Sequence, residues 1–81
     1  MSDSQNFIIA YLDRCLRDKG VIPPPLTAHS QFLSGEWAFD SLDLAQLITA
    51  LEQHSGFDPF AQGFIPFQTI GELAELFDRR P

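Results

Sequence analysis

Apolar positions recur along this chain at spacings of three and four, the period of a helix with one buried face. Phe7, Ile8, Tyr11, Leu12, Cys15 and Leu16 share one side of a helix expected over residues 4–19, with Asp13, Arg14 and Arg17 on the other. Arg17 and Lys19 suit its last turn and Gly20 its stop. Leu44, Leu47, Ile48 and Leu51 form a second stripe, on a helix over residues 41–54. Ile70, Leu73, Ala74, Leu76 and Phe77 form a third, over residues 69–79, opened by Thr69 and Glu72 at capping-box spacing. No alternation of period two rivals these stripes. The expected fold class is therefore all-α, a small helical bundle of three main helices plus a short irregular third segment.

The joins are as informative as the helices. Pro23, Pro24 and Pro25 cannot continue a helix and stiffen the chain around them. Residues 20–40 read as one long ordered loop, pinned to the core by Leu26, Phe32, Leu33, Trp37 and Phe39. Loops this long in small domains are often functional. The connector over residues 57–67 contains Gly63 and Pro66, which leave room for a turn or two at most.

Composition narrows the classes. Eighty-one residues make one small domain, 1–81, with a modest core. No apolar run is long enough to span a membrane, and the start, MSDSQNF, lacks the pattern of a secretion signal. A single cysteine, Cys15, makes no internal disulfide and is expected in the core without a redox or metal role. A cytoplasmic monomer is the expectation. The net charge of −6 is uneven: Arg14, Arg17, Lys19, Arg79 and Arg80 lie near the ends, and residues 20–78 carry no Lys or Arg. That argues against nucleic acid, whose phosphates need cations. A basic protein surface is the better complement, although acidity also simply serves solubility.

Asp40-Ser41-Leu42 opens the second helix and is the point where chemistry could reside. The first N–H groups of a helix lack helical partners and carry partial positive charge, so a phosphodiester on Ser41 would be favoured there. Asp and Ser are also the preferred N-cap residues, and the dipeptide by itself reads as a cap. At about 100° per residue, Leu42, Gln46, Thr49 and Gln53 point away from the inner stripe, flanked by Asp43 and Glu52. This outward face contains no long basic side chain. It serves either partner docking or plain solvation.

Asp40-Ser41-Leu42-Asp43-Leu44, followed by Leu47-Ile48-Thr49-Ala50-Leu51-Glu52, resembles the signature of acyl carrier and peptidyl carrier proteins. The layout is similar too: a helix, a long loop, the Asp-Ser-Leu helix, a short third segment and a last helix opening Thr69-Ile70-Gly71-Glu72-Leu73, the order of a four-helix bundle whose third member is reduced. The resemblance covers nearly the whole chain. It implies that Ser41, with Asp40 and Leu42 beside it, receives 4′-phosphopantetheine from coenzyme A through a separate Mg²⁺-dependent phosphopantetheinyl transferase. The thiol would then carry an acyl or aminoacyl group as a thioester, loaded by a ligase and passed to downstream acyl-processing enzymes. By match to the family's recognition helix, Leu42, Asp43, Gln46, Thr49 and Glu52 would dock partners, and a cleft beside that helix, lined by Phe64, Phe67 or Leu33, would shield cargo. Ser41 would be an attachment point and not a catalyst. A nucleophilic serine needs an oriented base, and nothing in the sequence places His29 or His54 beside it.

Three features depart from the family pattern. Trp37-Ala38-Phe39 stands where small residues are usual, so Trp37 and Phe39 either anchor the loop or meet cargo and partner. Gln46 and Gln53 replace acids frequent in fatty-acid carriers, which favours a specialised pathway (polyketide, nonribosomal peptide or similar). The connector is rich in phenylalanine. An initial Met and an end soon after the last helix suit a freestanding protein, with a module cut from a synthase as the alternative. The competing function is a helical interaction module without a prosthetic group, in which Ser41 only caps its helix.

Overall fold

A computed structural model describes residues 3–32 and 39–79. Among these residues the chain forms three helices, α1 (Asp3–Asp18), α2 (Ser41–Ser55) and α3 (Ile70–Asp78), with α1 packed against both others. Ile8, Leu12 and Leu16, four apart on α1, are fully buried. Ile8 and Leu12 share one core with Leu47 and Leu51 from α2 and Ile70, Leu73, Ala74, Leu76 and Phe77 from α3. The all-α class follows from these three stripes, each hiding an apolar face that could not remain in water.

α1 ends in a Schellman turn. Gly20 takes φ +78, its N–H donates to Arg17 O (3.0 Å) and that of Val21 donates to Leu16 O (2.9 Å). Glycine occupies this left-handed position at no steric cost, and the turn fixes the backbone of Lys19.

The loop after α1 is held by the last helix. The N–H groups of Ile70 and Gly71 in the first turn of α3 donate to Ser30 O (3.0 Å) and Ala28 O (2.8 Å), and Phe32 N–H donates to Gln68 O (3.0 Å). Loop carbonyls thus satisfy donors that a helix start leaves open. Thr69 and Glu72 form the expected reciprocal capping box. The connector contains turns at residues 58–63 and no helix, with Asp58 accepting from Phe60 N–H (2.8 Å). Phe60 docks edge-on to Phe77 (6.4 Å) and Phe67 edge-on to Phe32 (5.8 Å), tying the connector to α3 and the loop.

Two placements differ from the sequence reading. Cys15 is half-buried at the edge of the core, because its thiol turns toward α2. The buried arc of α2 is rotated toward Asp43, Leu47 and Leu51, leaving Leu44 and Ile48 half-buried. The reason is that α1 lies against the Asp43 side of α2, while Leu44 borders an open cleft.

Candidate functional site: the start of α2

Asp40 is the N-cap of α2. Its extended backbone (φ −110) aims a carboxylate oxygen at Asp43 N–H (2.9 Å), and Asp43 returns the bond by accepting from Asp40 N–H (3.2 Å). This reciprocal arrangement uses a carboxylate at both positions. Ser41 is therefore already inside the helix, at its first position, and is exposed. Among the described residues no partner holds its hydroxyl. The idea that Ser41 merely caps the helix is corrected by this geometry, because the cap is Asp40.

The surroundings fit a phosphodiester on that hydroxyl. Among the described residues the N–H groups of Ser41 and Leu42 have no acceptor, since the cap serves only Asp43 and Leu44. They lie at the positive end of the α2 dipole, where an anion is stabilised. A base to activate the serine is not at hand in His54. It lies in the last turn of the helix that Ser41 begins, thirteen residues on at about 1.5 Å each, or roughly 20 Å away. Its ring stacks on Phe7 (4.3 Å) and its Nε2 approaches Asp3 (3.1 Å). His29 is exposed in the long loop, where its backbone N–H donates to Thr27 Oγ1 (3.1 Å).

A family model described as phosphopantetheine attachment site matches residues 11–77. The chain belongs to this family. No curated protein and no solved structure matches it. The protein is thus a phosphopantetheine-bearing carrier domain, and 4′-phosphopantetheine is its prosthetic group.

On the outward face of the carrier's α2, Leu42 is 66% exposed, and Gln46, Thr49 and Gln53 are exposed below it. Thr49 donates back to Ala45 O (3.1 Å) and Glu52 is half-buried. Asp43 does not belong to this face. It is 9% exposed and turned to α1, where Lys19 Nζ pairs with its Oδ2 and the Cys15 thiol lies 3.9 Å from its Oδ1. The Lys19 hydrogen bond is the main reason its pKa lies below the usual carboxylate range. A long basic side chain thus does reach the start of α2, from across the fold. Nothing in the local sequence signals this, since Lys19 and Asp43 stand 24 residues apart.

Phe39 also leaves the docking set. It is 6% exposed and packs on Phe32 (5.9 Å), so it anchors the loop. Trp37 and Leu33 lie outside the described residues. The expected cleft beside α2 is present, about 340 Å³, lined by Gln31, Phe32, Leu44, Phe67 and Gln68. Phe64 is not part of it: the residue is 73% exposed and its ring stacks on Phe60 (5.6 Å). No described helix is long and apolar enough to cross a membrane.

Proposed function

We propose that Ser41 is the residue that bears the 4′-phosphopantetheine. The observation that supports this most directly is the pairing, at the start of α2, of an exposed Ser41 with two N–H groups, none of which has a partner among the described residues once Asp40 has taken over capping. When bound, the group supplies a thiol able to hold an acyl or aminoacyl cargo as a thioester. The chain's own residues do the rest. Asp40 and Asp43 fix the first turn, Ser41 presents the oxygen, and the core keeps α2 rigid behind it. The protein is a carrier and performs no catalysis itself.

Leu42 is the apolar centre of the partner surface, with Gln46, Thr49 and Glu52 extending it along α2. Its partners are a Mg²⁺-dependent phosphopantetheinyl transferase drawing on coenzyme A, a loading ligase and downstream acyl-processing enzymes. The sparse charge on this face fits a specialised biosynthetic pathway better than enzymes that rely on strong electrostatic steering. The cleft at Leu44 and Phe67, one turn beyond Ser41, offers cargo a partly apolar shelter.

Incubation with coenzyme A, Mg²⁺ and a broad-specificity transferase, followed by intact-mass measurement, tests the assignment. Wild type should gain one phosphopantetheine and Ser41→Ala none. A Ser41→Ala protein that still gains the group would move the attachment elsewhere.

A further inference from the structure

We propose that Lys19, at the end of α1, is a positioning residue for the modification of Ser41, acting through Asp43. The inference rests on Ser41 being the attachment point.

Asp43 is a nearly buried carboxylate two residues past Ser41. Its Oδ2 accepts from Lys19 Nζ and also from the N–H of Asp40, the residue before Ser41 (3.2 Å). Its Oδ1 faces the Cys15 thiol (3.9 Å). One carboxylate therefore joins the first turn of α2, on both sides of Ser41, to α1. The Arg–carboxylate pairs among the described residues are different in kind: Arg17–Asp13 and Arg79–Glu75 are exposed and four apart in sequence. Such pairs contribute little. Lys19–Asp43 connects two elements, with the Asp43 side chain only 12% exposed.

The lysine is launched from fixed backbone. Its own N–H donates to Leu16 O (3.1 Å), and the turn at Gly20 comes immediately after it. Its reach to Asp43 therefore registers the end of α1 against the start of α2.

Without the ammonium, the carboxylate would be left nearly buried with no cation paired to it among the described residues, a costly state. It relieves that cost by swinging toward water, and in doing so releases Asp40 N–H. The capping box opens, the first turn of α2 frays, and Ser41 is presented in a spread of positions. A partner enzyme then meets the productive geometry less often, which raises the carrier concentration it needs. The turnover of a correctly docked carrier is unchanged. A lysine that served only global stability would have no such selective effect.

Steady-state loading with coenzyme A in excess and carrier varied tests this, on wild type, Lys19→Met, Lys19→Arg, Asp43→Asn and the Lys19→Met/Asp43→Asn pair. All are compared at a temperature where circular dichroism shows each fully folded. Lys19→Met should raise KM for the carrier about three- to fivefold with kcat within about twofold of wild type. Lys19→Arg should restore most of the loss, and the double variant should be no worse than Asp43→Asn. A wild-type KM in Lys19→Met, or additive losses in the double variant, would overturn the positioning role while leaving Ser41 in place. Failure of the wild type itself to load would overturn both.

Discussion

Asp40 and Ser41 are both residue types that cap helices, yet one side chain suffices to accept from the amide of Asp43. Asp40 does so from extended backbone, while Ser41 has entered the helix and is exposed there. The same division of labour removes Asp43 from the docking face, since a carboxylate that returns the capping bond must point back toward the helix start. Leu42 has no such duty. It is the apolar side chain nearest Ser41 in the chain and remains two-thirds exposed. Leu42→Ala should leave helix content unchanged, because alanine is the better helix former. It should lower kcat/KM for transferase loading by roughly fivefold, the size of a modest interface contact. Loading kinetics measured beside far-ultraviolet circular dichroism would check this, and wild-type kinetics would count against Leu42 as a contact.

At the scale of elements, α3 is started by its own capping box and by the loop that precedes α2. Gly71 is where the two meet. A Cβ there would stand 2.9 Å from Ala28 O and 3.0 Å from Ala28 Cβ, too close for either to remain in place. The hydrogen bond from Gly71 N–H to Ala28 O (2.8 Å) depends on that approach. Gly71→Ala should therefore destabilise the fold by about 1–3 kcal/mol, the usual cost of overpacking, despite the roughly 1 kcal/mol that alanine gains in helix propensity. Urea denaturation would show a lower midpoint with the slope retained. A midpoint at or above wild type would mean that the loop yields without cost. The Thr69–Glu72 box was legible in the sequence because it is local; the role of Gly71 was not, because its neighbour lies 43 residues away.

For the molecule as a whole, the Lys19–Asp43 contact links stability to pH. Asp43 titrates below its ordinary range, chiefly through the Lys19 hydrogen bond, which outweighs the opposing effect of burial. A depressed carboxylate contributes stability that is complete above the ordinary carboxylate value and is lost as pH falls through the folded pKa, here below about pH 4. Lys19 is raised, first by the hydrogen bond to Asp43, while Cys15 and Tyr11 are raised chiefly by burial. Their contributions are present below the ordinary values and fade as pH rises through the folded ones, beginning with the thiol above about pH 8.5. Thermal melts across pH should thus decline at both ends, and Asp43→Asn should melt lower at neutral pH with a shallower acid limb. An acid limb as steep as wild type in Asp43→Asn would assign the loss to other carboxylates. By itself, the sequence determined what repeats or stays local: three amphipathic helices, the stop of α1 at Gly20, the capping box of α3, the irregular connector, and the Asp-Ser-Leu motif with its family resemblance. Each is written in spacings of a few residues, which is the range over which helix geometry acts. Only the tertiary structure decided which of Asp40 and Ser41 caps α2, that Asp43 faces inward, that Phe39 anchors the loop and does not meet a partner, that Cys15 stops short of the core, and that Lys19 crosses to α2. Those outcomes depend on the rotation of one packed helix against another and on contacts between residues far apart in the chain, and no short-range pattern encodes them.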